Sequence, residues 1–150
     1  MTKPLPIIID TDPGQDDAVA ILLALASPEF EVLGITALAL TEINARKICE
    51  LAGRPEIKVF AGAVRPLLRP LVTAEYVHGQ TGLDGPVWPE PKMPLQKQHA
   101  VDFIVETLMT HEAGTITLCV LGPMTNIALA LIREPRIASR IKRIVAMGAA

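Results

Sequence analysis

Four carboxylates fall within eight consecutive residues, Asp10-Thr11-Asp12-Pro13-Gly14-Gln15-Asp16-Asp17. Like charges this close repel, by about 4 kcal/mol per pair at 4 Å and an effective dielectric near 20. A helix N-terminus relieves only about 0.3–1 kcal/mol per carboxylate, so a bound cation is expected. Every side-chain donor in the run is oxygen, which favours a hard ion, Ca²⁺ or Mg²⁺. A cage of this kind can hold a water, lower its pKa and aim it. Pro13 and Gly14 supply a turn, glycine being free to take positive φ, and the turn lets Asp12 and Asp17 converge. One or two aspartates here would read as a helix cap or a solvated turn. Four around a Pro-Gly turn point to metal binding or catalysis. An EF-hand is excluded: counted from Asp10, its sixth and twelfth positions hold Gln15 and Ile21 instead of Gly and Glu.

The elements that must position this turn are aliphatic. Aromatic residues number five in 150 (three Phe, one Tyr, one Trp), so the core must be Ile, Leu, Val and Ala, as in parallel sheets covered by helices. Strand-length runs occur at Leu5–Ile9, Glu31–Thr36, Ile57–Ala61, Thr115–Leu121 and Ile141–Met147. Helical patterns lie between them at Asp16–Ala26, Thr41–Ala52, Gln98–His111 and Pro123–Arg133, the last opened by a first-turn proline. This alternation predicts an α/β fold, a mainly parallel open sheet with flanking helices of Rossmann-like type. The acidic turn then sits at the carboxyl end of the first strand, where such sheets bind ligands. Residues 62–97 form a long gap with six of the thirteen prolines. A connection of that length is usually functional or disordered, and a mobile lid over the pocket is one expectation for it. No repeat or linker divides the chain, so residues 1–150 are taken as one unit without an internal boundary.

Composition narrows the function classes. Half the residues are hydrophobic and 20% are charged, which argues against disorder. The net charge of −2 argues against a general nucleic-acid partner, which needs a basic field. No apolar run reaches transmembrane length, and the first residues do not resemble a signal peptide. Cys49 and Cys119 lie far apart in apolar surroundings and read as buried thiols. A soluble, cytoplasmic protein with no membrane partner is the expectation.

The segment Asp10–Ala18 resembles the N-terminal signature of the nucleoside hydrolases, the inosine-uridine-preferring nucleoside N-ribohydrolase family. Val77-His78-Gly79 with Thr81-Gly82-Leu83-Asp84-Gly85-Pro86 resembles the family's His-Gly and Gly-Leu-Asp-Gly segment. Leu121-Gly122-Pro123-Met124-Thr125-Asn126-Ile127-Ala128 is similar to its Gly-Pro-x-Thr-Asn helix start. Ile144–Gly148 resembles its Met-Gly-Gly strand end, with Ala149 at the second glycine. The resemblance implies the N-terminal part of a single nucleoside hydrolase domain. It implies Ca²⁺-dependent hydrolysis of the N-glycosidic bond of purine or pyrimidine ribonucleosides to base and ribose, in nucleoside catabolism or salvage. By position it makes Asp12 and Asp17 metal ligands, joined by the Leu121 backbone carbonyl, with Asp10 orienting them from behind. Asp12 would also act as base toward the water, Asp16 would bind ribose hydroxyls, and His78 and Asn126 would serve the substrate pocket. A full-length member is expected to be a homo-oligomer, a dimer or tetramer.

Two departures bear on function. The family's Gly-Asn after the second strand, whose Asn reaches ribose, is absent: Ala37-Leu38-Ala39-Leu40 runs directly into Thr41. Family members also run to about twice this length. An alternative is therefore a truncated, catalytically impaired relative that only binds Ca²⁺ or nucleoside, with an open last strand that promotes association. A phosphatase using Asp10 as nucleophile is the remaining rival, and it lacks a clear partner Lys and phosphate-binding Ser/Thr motif. His99 and His111 read as structural at helix ends. Thr125 and Asn126 default to capping, Asp84 to an Asx-type turn, and the basic cluster from Arg133 to Arg143 to a solvated face beside a helix end.

Overall fold

The computed structural model describes residues 3–72, 75–85 and 87–148, with the side chains of Glu75 and His78 outside the description. Six strands alternate with helices: β1 (Leu5–Thr11), α1 (Gln15–Ala26), β2 (Phe30–Ala37), α2 (Glu42–Leu51), β3 (Val59–Ala61), α3 (Glu75–His78), β4 (Leu95–Gln96), α4 (Ala100–Thr110), β5 (Thr117–Val120), α5 (Thr125–Arg133) and β6 (Arg143–Ala146), with a 3₁₀ turn at Pro135–Ser139 before the last. The strands form one sheet in the order β4-β3-β2-β1-β5-β6, and every pairing is parallel. The order runs outward from β1 in both directions, so the topological switch lies beside β1. That is where an open α/β sheet leaves a crevice at its carboxyl edge.

Strand parity assigns each side chain to a face. Ile7 and Ile9 pack with Ile21, Leu25, Ala45 and Ile48, the layer of α1 and α2. Ile8 points the other way, into the layer of α4 and α5 with Ile104, Leu108, Ile127 and Ala130. With both faces covered, a run of three isoleucines is what a central strand requires. An irregularity between Ile7 and Ile8 shifts the register, after which Ile8 pairs Gly34 and Asp10 pairs Thr36. Gly34 is needed there: a Cβ would lie 2.7 Å from the Phe103 ring, which stacks on Phe60 with centroids 3.8 Å apart.

All five expected strands and four expected helices are present, with ends shifted by a few residues. The gap at 62–97 holds two short elements that apolar periodicity does not announce, α3 and β4. The ends of α4 are closed by histidines as expected, whereas α5 begins at Met124 without a side-chain cap, so neither Thr125 nor Asn126 caps it. The His99 ring accepts from Val101 N–H, and His111 Nδ1 lies 2.8 Å from the Thr107 carbonyl. Arg140 is more than a solvated charge: it donates to the carbonyls of Leu108 and His111 at the end of α4. No described helix is long and apolar enough to cross a membrane. Both cysteines are free, and burial pushes the Cys49 thiol up to about 12.

Candidate functional site

Parity continues into the acidic turn and separates its carboxylates. Asp10 follows Ile8 and faces α5; Thr11 follows Ile9 and faces α1. Asp10 is 1% exposed. Its Oδ1 accepts from Thr36 Oγ1 at 2.5 Å and from Asn126 Nδ2 at 2.9 Å. Its Oδ2 is buried without a hydrogen-bond partner among the described residues. Burial pushes the Asp10 carboxyl up to about 6, against the pull of the Thr36 and Asn126 donors, and the Asp12 charge adds to the rise. On the other face, Thr11 Oγ1 donates to Asp17 Oδ2 at 2.6 Å. Asp17 is buried in the first turn of α1, beside exposed Asp16. Gly14 begins that helix without a side-chain cap, so neither aspartate serves as its N-cap.

Asp12, Asp16 and Asp17 line one cavity of about 590 Å³. The carboxyl ends of four strands contribute to it: Asp12 after β1, Ala39–Thr41 after β2, Leu121 and Gly122 after β5, and Met147 after β6. Gly122 lets the wall close onto Asp12, since a Cβ there would lie 2.2 Å from Asp12 Oδ1. Leu121 is pinned by its N–H, which donates to the Asp10 carbonyl at 2.8 Å. Ala39 and Leu40, standing where Gly-Asn was expected, both take left-handed backbone (φ 51° and 65°). That conformation costs non-glycine residues roughly 1–2 kcal/mol each.

The far wall is the loop Gly79-Gln80-Thr81-Gly82. Asp84 folds this loop by reaching back along the chain, accepting from the N–H groups of Gln80 and Thr81 and from Thr81 Oγ1, instead of forming the Asx-type turn, which bonds two residues onward. Asn44 Nδ2 donates to the carbonyls of Pro13 and Thr81.

The expected site residues thus fall into three groups. Asp12, Asp16, Asp17 and Leu121 share the cavity. Asp10 and Asn126 lie beneath it, fully buried, and Asn126 Oδ1 also accepts from Ala63 N–H. Asn126 therefore braces Asp10 from inside the core and contributes nothing to the cavity wall. The side chain of His78 lies outside the described residues. Thr11, Thr36 and Gly122 were not singled out from sequence. Thr36 could have been, as a lone hydroxyl in an aliphatic strand of the same parity as Asp10.

The donors suit a hard cation in kind. Asp12, Asp17 and the Leu121 carbonyl are all oxygen, and an orphaned carboxylate oxygen lies directly below in Asp10. They fall short in number: Ca²⁺ takes six to eight oxygens. No group of three or more His, Cys, Asp or Glu among the described residues is gathered closely enough to hold a metal.

Comparison with known proteins fits this arrangement. The family model described as inosine-uridine preferring nucleoside hydrolase matches residues 7–150. An uncharacterized protein of Schizosaccharomyces pombe is 53% identical over 97% of the chain and 49% of its own length. The pyrimidine-specific ribonucleoside hydrolase RihA of Salmonella typhi is 47% identical over the same shares. The solved purine-preferring ribonucleoside hydrolase from Gardnerella vaginalis superposes with a TM-score of 0.90 at 34% identity, over 97% of the chain and 49% of that structure. The chain spans about half the length of the curated relatives it matches.

Proposed function

The chain belongs to the inosine-uridine preferring nucleoside hydrolase family, and from that premise we propose that it contributes the acidic half of a site for hydrolysing the N-glycosidic bond of ribonucleosides. The observation that carries the reading is the gathering of Asp12, Asp16 and Asp17 on one cavity at the switch point of the sheet. When the bond between ribose C1′ and the base nitrogen breaks, its electron pair leaves with the base and positive charge builds on the sugar. Fixed carboxylates in a partly desolvated cavity stabilise that charge. Asp12, on the cavity wall, is assigned to accept the proton from the water that adds to C1′. Asp16, exposed at the rim, suits hydrogen bonding to ribose hydroxyls. His78 is assigned to the same pocket through its motif. Asp10 and Asn126, buried and bonded to each other, would brace the floor of the site instead of lining it.

Asp12, Asp17 and the Leu121 carbonyl are the groups that would hold Ca²⁺, with the remaining donors coming from substrate hydroxyls, water and further protein. When bound, the ion would supply Lewis-acid polarisation and offset the carboxylate repulsion. The cellular setting that goes with the reading is nucleoside breakdown or salvage in the cytoplasm, by a homo-oligomer.

A second reading, binding of Ca²⁺ or nucleoside without turnover, is favoured by Ala39-Leu40 in the cavity wall, where the family has an Asn that reaches ribose. One experiment separates the two. Ribose release from inosine and from uridine is measured with and without chelator, beside calorimetry of Ca²⁺ and nucleoside. Chelator-sensitive ribose release supports hydrolysis. Heat of binding without ribose supports the second reading, and neither signal refutes both.

A further inference from the structure

We infer that Asn44 is a positioning residue: its side-chain amide fastens the loop Gly79–Gly85 to the acidic turn and so makes the cavity a cavity. The ligand named in the test below rests on the ribonucleoside reading; the fastening itself does not. Asn44 is 3% exposed, near the start of α2. An amide NH₂ has two hydrogens to donate. Both are used, toward Pro13 O at 3.0 Å and Thr81 O at 2.7 Å. One acceptor lies inside the acidic turn and the other in the facing loop, and both residues line the cavity. The side chain caps nothing in its own helix, where Thr41 holds the N-cap position without a side-chain capping bond, its hydroxyl donating back to the Leu38 carbonyl.

The backbone agrees with the side chain. Gly82 takes φ +80°, and a Cβ there would lie 3.1 Å from Asn44 Nδ2 and 3.2 Å from Pro13 O. The loop therefore approaches the turn as closely as backbone can. It is also tied together internally. Asp84 ties Gln80 and Thr81 together, and Trp88 Nε1 donates to Leu83 O at 3.0 Å. Among the described residues, Gln15 Nε2 also donates to Asp84 O from the turn side, at 3.1 Å and exposed to solvent. A hydrogen bond withdrawn from solvent is the costlier one to lose; the Asn44 bonds are buried toward Pro13 and part-buried toward Thr81, so they outweigh the exposed Gln15 bond. Replacing the amide by an isosteric carboxylate sets an acceptor against two carbonyls and removes both bonds.

The test uses the whole 150-residue chain with Asn44→Asp and, independently, Gly82→Ala, which disturbs the same contact from the loop side. Hydrogen exchange is followed by mass spectrometry over 79–88 and over β1, with acrylamide quenching of Trp88 and calorimetry of inosine, uridine and Ca²⁺. The expected result is exchange about tenfold faster across 79–85 in both variants, β1 unchanged, and stronger Trp88 quenching. Nucleoside affinity falls about tenfold while Ca²⁺ affinity stays within about twofold. Unchanged exchange across 79–85 in either folded variant overturns the inference. So does loosening spread equally over β1, which marks general destabilisation. Should the wild-type chain bind no nucleoside, the ribonucleoside reading is lost, and the exchange data alone decide the role of Asn44.

Discussion

Replacing Thr36 by Val isolates the support under the acidic turn. The two side chains are nearly isosteric, both are β-branched, and Thr36 is fully buried in β2, so packing and strand preference are kept. What is lost is the 2.5 Å bond from Oγ1 to Asp10 Oδ1. A hydrogen bond to a charged group is worth about 1.5–3 kcal/mol, against about 0.5–1.5 for a neutral one. With chelator present at pH 7.5, Asp10 is ionised, since its carboxyl titrates near 6. The expected loss is then about 1.5–3 kcal/mol, or roughly 3–12 °C in Tm for a chain of this size. The sign with pH follows from the same shift. The folded carboxyl titrates near 6 against 3.8 for the free group, so protonation of Asp10 favours the fold below 3.8 and this contribution is lost as pH rises through 6. Removing the Thr36 donor raises the folded value further. The variant must therefore lose more at pH 7.5 than at pH 4.5, where Asp10 is mostly protonated and only the neutral bond is missing. Urea unfolding of both proteins at the two pH values, read by circular dichroism, supplies the four free energies. An equal loss at both values, or none at 7.5, would show that Thr36 does not support the Asp10 charge.

Other perturbations address the walls. Gly122→Ala must displace the Asp12 carboxylate, whose Oδ1 would stand 2.2 Å from the new Cβ; calorimetry should show Ca²⁺ affinity reduced at least tenfold, and unchanged affinity would remove Asp12 from the ligand set. Leu40→Gly relieves a left-handed residue whose side chain is 68% exposed. Net of added chain entropy, it should stabilise by about 0.5–1 kcal/mol in thermal melts, and a lower Tm would mean that Leu40 makes packing contacts of its own. All four residues of β6 are exposed at the sheet edge, including Ile144 and Val145. Unpaired edges invite pairing between chains, so Val145→Lys should shift light scattering toward smaller species, and identical profiles would place association elsewhere.

The fold was legible where the sheet is covered on both faces. Central strands there are continuous aliphatic runs, and the short, β-branched Ile7-Ile8-Ile9 between prolines and aspartates reads as one. β4 escaped notice because two residues, Leu95 and Gln96, carry no period and lie among prolines. At the site, Asp12, Asp16 and Asp17 were legible as a charge cluster. The separation of Asp10 from them was implicit in strand parity, which sends residues 8 and 10 to one face and 9 and 11 to the other. The position of Asn126 was harder to read. A helix-start Asn usually caps, and only the three-dimensional approach of α5 to β1 reveals Asp10 and Ala63 as its partners. The role of Asn44 could not be read from sequence for a related reason: its acceptors are main-chain carbonyls, which no residue type marks.

The bracing of Asp10 has a consequence for how ligands come and go. Asp10 and Thr11 end a strand paired on both sides, to β2 and β5, so the cavity's underside can yield only if the sheet itself opens. Such openings draw on the free energy of the whole molecule, whereas segments held by a few bonds open at far lower cost. Entry and escape are therefore governed from above. Changes in residence time should track substitutions in the overhanging segment, while changes beneath it should register as expression level and heat tolerance.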